Sequence, residues 1–138
     1  MQLSEMEMRI LAALEEAGEE HACAVLNMIS GESVQAATVA DYQQALRVLI
    51  ARGLIEIALF SLPAGTQSLT LPEALAEIAL LTEHYRFSPE LSGWEDMRDT
   101  GPPYFSVPLP RIVATDAGYA KAIELLEARG YEWWRQRQ

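Results

Sequence analysis

Across a single glycine, the hydrophobic period of this chain changes from helical to extended. In TVADYQQALRVLIARGLIEIAL, from Thr38 to Leu59, the residues Val39, Tyr42, Ala45, Leu46, Leu49 and Ile50 recur three and four apart. That spacing lines one face of an α-helix. Beyond Gly53, LIEIALF has the length and composition of a strand. Glycine just past the last periodic residue is a common helix stop, because it enters the left-handed region without a Cβ penalty. The switch predicts a mixed α+β domain.

The remaining elements follow from similar local signals. In LSEMEM, Ser4 and Glu7 form a capping-box pair, each side chain satisfying the other's backbone amide. Met6, Ile10, Leu11 and Leu14 continue at helical spacing to Gly18, which predicts a first helix over about 5–17. A second helix is expected from about His21 to Ile29, broken by SGES. The third begins near Thr38, a suitable N-cap. Pro72 suits the first turn of a further helix, PEALAEIALLTEHY. SPELSGWEDMRDTGPP reads as irregular, with Trp94 as an apolar anchor. YFSVPLPRIVAT is extended, but Pro108 and Pro110 lack amide protons, so an edge or broken strand is expected. Thr115 caps a last helix that ends at Gly130.

With 138 residues, half of them hydrophobic, the chain has enough apolar side chains for the core of one domain. No apolar run approaches the roughly 20 residues of a membrane span, and the N-terminus lacks a secretory pattern. A single cysteine, Cys23, allows no internal disulfide, and a reducing cytoplasm is expected. The net charge is −10, divided as −6 over residues 1–37, 0 over 38–60, −5 over 61–110 and +1 over 111–138. Most of such a surface repels phosphate.

ALRVLIARGLIEIAL resembles the end of the recognition helix in the winged-helix superfamily, where leucines pack inward, glycine caps, and the first wing strand begins. IVATDAGYAKAIELL resembles the second wing strand passing through a Thr-x-x-Gly turn into the C-terminal helix. RILAALEEAGEEHACAVLNMI is similar to the first two helices of bacterial regulators of the PadR and MarR kinds. Together these stretches cover about two-thirds of the chain. The resemblance implies one winged helix-turn-helix domain over 1–138, with an additional helix and irregular segment, about 61–110, inserted between the two wing strands. No residue matches the superfamily's wing tip. The implied function is that of a cytoplasmic bacterial transcriptional regulator bound to double-stranded DNA. It would act as a homodimer held through the C-terminal helix and the tail YEWWRQRQ, with two third helices in successive major grooves about 34 Å apart.

If Tyr42, Leu46 and Leu49 face inward, the opposite face of the third helix carries Ala40, Gln44, Arg47 and Ala51, flanked by Gln43 and Val48. Arg47 suits guanine or a phosphate, Gln43 or Gln44 suits adenine, and Thr38 suits a phosphate. Equally, glutamine and arginine are good helix formers that occupy solvent-facing positions for that reason alone. Asp41 would face phosphate badly, whereas Ala40, Val48 and Ala51 suit a protein contact. An acidic module binding another protein without DNA is therefore the alternative. A third reading is a ligand sensor whose insertion covers a small pocket.

Other reactive groups point to no enzyme and no cofactor. His21 and Cys23, two apart on the expected helix, diverge, and His84 lies in the insertion. No metal-ligand spacing is present. Cys23 qualifies as a thiol sensor only if exposed with a lowered pKa. Glu90, Glu95, Asp96 and Asp99 read as a solvated charged loop rather than an acid–base pair. No phosphate loop or nucleophile elbow occurs.

Overall fold

The computed structural model describes residues 2–30 and 36–135, and the side chains within that range except those of Ala36 and Ala37. It is a mixed α+β structure. Its elements are α1 (Glu5–Ala17), β1 (Glu20–His21), α2 (Ala22–Ser30), α3 (Ala36–Ala51), β2 (Ile55–Ser61), β3 (Gly65–Ser68), α4 (Leu71–Ala79), α5 (Leu81–His84), β4 (Tyr85–Ser88), β5 (Gly93–Asp96), β6 (Leu109–Ala114) and α6 (Asp116–Arg129). No helix among the described residues is long and apolar enough to cross a membrane.

The first helix forms where its cap predicts. Ser4 Oγ accepts the Glu7 amide at 3.2 Å, and Glu7 Oε1 accepts the Ser4 amide at 3.0 Å. Ile10, Leu11 and Leu14 are fully buried, meeting Val25 and Leu26 of α2 and Tyr42, Leu46 and Leu49 of α3 in one core. The Tyr42 hydroxyl, inside that core, donates to the Ala22 carbonyl at 2.7 Å.

At the end of α3 the amide of Gly53 donates to Ile50 O (2.9 Å) and that of Leu54 to Leu49 O (3.0 Å). This paired closure requires a left-handed residue, and Gly53 has φ +71°. The chain then enters β2. Thr115 and Gly118 lock this junction to α6. Thr115 Oγ1 donates to Gly53 O at 2.6 Å and accepts from the Gly118 amide. A Cβ on Gly118 would lie 2.0 Å from the Leu54 carbonyl oxygen, so the crossing admits only glycine.

The main sheet is antiparallel, in the order β1-β6-β2-β3, and a separate hairpin pairs β4 with β5. The strands depart from the sequence expectation in several places. The strand containing Pro110 is internal, neither edge nor broken, and it starts only at Leu109. Its tolerance of proline has a register explanation. The Thr115 amide donates to Leu54 O across the β2 side, so Val113, Arg111 and Leu109 turn their amides to β2 by alternation. Pro110 points the other way, where β1 has already ended at His21. The two-residue β1 occupies the expected start of the second helix, which begins at Ala22. Thr38 is not an N-cap, because α3 begins at Ala36 and takes Thr38 into its first turn. The SGES break falls largely outside the described residues.

The insertion is more ordered than its composition suggests. SLPAGTQ turns into β3, which pairs with β2 from Ala58↔Ser68 to Ser61↔Gly65. The expected single helix is two, α4 and α5, separated at Leu80. Thr70 and Glu73 give α4 a capping box, with Pro72 in the first turn as predicted. The stretch read as irregular holds β5, and its partner β4 begins at Tyr85, the last residue of the expected helix. Trp94 is the anchor expected of it, buried and edge-on to Phe87. Asn27 of α2 clamps its peptide, Oδ1 accepting the Trp94 amide at 2.7 Å and Nδ2 donating to the Trp94 carbonyl at 2.8 Å.

Candidate functional site

The outer face of α3 divides the predicted contact residues. Gln44 is exposed, as are Ala40, Asp41 and Ala51, while Arg47 and Val48 are half-buried. Gln43 is withdrawn from the surface and is corrected as a base-contacting residue. Its side chain is 7% exposed, and its Nε2 donates to the Ile78 carbonyl at 2.7 Å and the Ala79 carbonyl at 3.3 Å. Those are terminal carbonyls of α4, which lack the amide a further helical turn would supply. Gln43 therefore fastens the insertion to α3. Thr38 is half-buried and already engaged within the chain. The face that remains is small, largely aliphatic and bounded on one side by the insertion.

At least seven of the nine lysine and arginine side chains among the described residues sit within salt-bridge distance of a carboxylate: Arg9, Arg86, Arg98, Arg111, Lys121, Arg129 and Arg135. Arg47 makes no hydrogen bond or ion pair among the described residues, and Asp41 shares its helix.

The tail YEWWRQRQ folds onto its own domain as far as Arg135. Trp134 is 1% exposed, and its carbonyl accepts Arg9 Nη1 at 2.7 Å. The Arg129 guanidinium stacks 3.8 Å above Trp133, Arg135 lies over Trp134, and Arg129 and Arg135 pair with Glu5 and Glu16 of α1. Both tryptophans are thus spent on α1, leaving Ile123 and Tyr131 as the large apolar groups exposed at this end.

Beneath the insertion lies a second feature. A cavity of about 330 Å³ is bounded by β1 and α2 on one side and by the β4–β5 hairpin and the 99–105 segment on the other. His21 is buried against it, its ring stacked on Phe105 at 4.4 Å and edge-on to Phe60. Burial and the nearby Arg111 guanidinium push the His21 pKa down. Cys23 donates to the Trp94 carbonyl at 3.4 Å, and burial raises its thiol to about 12, the reverse of what a thiol sensor needs. The acids read as a solvated loop are partly structural. Asp96 is buried and grips Arg98 through both oxygens, Nε at 3.0 Å and Nη2 at 2.7 Å, while Arg98 Nη1 reaches Glu77 at 3.2 Å. No group of three potential metal ligands occurs among the described residues. Asn27, Tyr85 and Phe105 shape this region without any motif in the sequence to announce them.

No family model, curated protein or solved structure matches the chain.

Proposed function

We propose that the chain is a winged-helix module whose third helix binds another protein rather than DNA. The element order and the placing of β6 between β1 and β2 support the winged-helix assignment. The observation that carries the function is the state of the basic residues. DNA affinity comes chiefly from cations that neutralise phosphates and release counterions. Here at least seven of nine described cations already face carboxylates, on a chain of net charge −10. A phosphate approaching Arg47 would meet Asp41 on the same helix. Ala40, Val48 and Ala51 instead offer a compact apolar contact, with Gln44 and Arg47 supplying polar specificity.

The DNA-binding regulator is a second reading, favoured by the outward position of Gln44 and the unpaired Arg47. It would require two copies of the chain to gather enough phosphate contacts. One pair of measurements separates the readings. Anisotropy titration against a random-sequence duplex at low salt should show no saturable binding. Affinity capture from the source cells should retain a protein with the wild type and lose it with Ala51→Glu, while circular dichroism stays unchanged. Duplex binding that weakens with a log–log salt slope of about −2 or steeper, and falls on Arg47→Ala, would instead establish the DNA reading.

A further inference from the structure

The cavity beneath the insertion carries an inference separate from the α3 face. We propose that it binds a small organic cation with an aromatic or apolar body. Two buried polar groups lack hydrogen-bond partners there: both ring nitrogens of His21, a residue 8% exposed, and the hydroxyl of Tyr85, a residue 7% exposed. Both residues line the cavity. Proteins rarely leave such groups unpaired, because the desolvation cost is not recovered. In the neutral imidazole one ring nitrogen carries a proton, with the Pro110 carbonyl beside the ring to receive it, and only the other nitrogen accepts. A ligand bearing several N–H donors serves that nitrogen and the phenol oxygen together.

The sign of the charge follows from the rest of the lining. Glu20, Glu95, Asp96 and Asp99 contribute to it, and no lysine or arginine does. Glu95 and Asp96 pair with Arg86 and Arg98, whereas Glu20 and Asp99 make no ion pair among the described residues. Arg111, whose charge acts on His21, stands outside the lining, paired with Glu19 at 2.9 Å and set over the face of Phe60 at 4.1 Å. An anion would meet uncompensated carboxylates, while a cation gains two of them together with aromatic faces. Phe105 supplies one such face and is held in place to do so. Its φ is +62°, a region costly for a residue with a side chain. The Asp99 carboxylate accepts its amide at 3.2 Å and the Leu62 amide donates to its carbonyl at 2.7 Å.

Three probes of similar shape test charge class and site together: benzamidine (cationic), benzyl alcohol (neutral) and benzoate (anionic). In NMR titrations of the full chain, benzamidine should shift the His21 and Phe105 resonances saturably, with a Kd in about the millimolar range or tighter. It should bind about tenfold or more tightly than either other probe. Tyr85→Phe should leave the melting temperature unchanged or higher, since an unpaired hydroxyl is removed, yet weaken benzamidine about tenfold. Glu20→Gln with Asp99→Asn keeps the oxygens that accept the His21 amide (2.8 Å) and the Phe105 amide, and should erase most of the preference for charge. Benzoate binding as tightly as benzamidine, no saturable shift at His21, or unchanged affinity in Tyr85→Phe would each overturn the proposal.

Discussion

Gly118 illustrates how a single residue sets the position of a helix. A methyl group there would stand 2.0 Å from the Leu54 carbonyl, against backbone that cannot yield without moving the α3–β2 junction. Gly118→Ala should therefore cost at least about 2 kcal/mol in urea denaturation, more than the roughly 1 kcal/mol expected for removing the Thr115 cap by Thr115→Ala. Equal losses would show that the crossing is looser than its geometry. Cys23 gives a prediction in pH. An acid whose folded pKa lies above its ordinary value holds its proton more tightly in the native state. Its contribution to stability is thus complete below about 9 and is lost as pH climbs toward about 12. Tyr42 and Tyr85, whose pKa values burial also raises, add to the same trend above their ordinary value of 10. Stability measured by urea titration should fall steadily across that alkaline range, and iodoacetamide should label the native thiol slowly at neutral pH. Rapid labelling would contradict the assigned burial.

At the scale of elements, local chemistry decided what was legible. The Ser4–Glu7 box, the Gly53 stop and the Thr115 cap act within a turn of their own positions, and the helices they bound form as the sequence predicts. The inward face of α3 was equally readable, because helical geometry alone turns Leu46 and Leu49 together. Gln43 was not readable as buried. Its angular position puts it on a flank, and whether a flank is wet depends on what packs there, here an α4 arriving from 35 residues downstream. The short strands β1, β3 and β5 escaped for a similar reason, being defined by distant pairing rather than by their own composition. Asn27 likewise acts as a surrogate strand for β5, holding both backbone groups of Trp94. Asn27→Ala strips both groups at once and should destabilise the protein by about 2–4 kcal/mol. Hydrogen exchange should then rise selectively in the β4–β5 hairpin. Uniform loss of protection would mean that the hairpin and the main core unfold as one unit.

Over the whole molecule, repulsion among excess carboxylates opposes compaction, and the ion pairs relieve it only locally. Added salt screens both, but at a net charge of −10 the long-range repulsion is the larger quantity. The melting temperature should therefore rise by a few degrees between about 0.01 M and 0.15 M sodium chloride. A fall would assign the stability to the ion-pair network instead. The sheet also bears on how freely this molecule can change length. Phe60 and Leu109 lie opposite each other in the paired strands β2 and β6, so everything from Ser61 to Pro108 departs from and returns to one rung of the ladder. Closing a longer excursion on that rung costs only logarithmically more entropy, and the exposed stretch from Ser106 to Pro108 lies just before the return. A peptide tag of several residues spliced into that stretch should leave the register of every strand intact, and because Phe105 and Leu109 flank it, a reporter carried there would sit at the rim of the cavity.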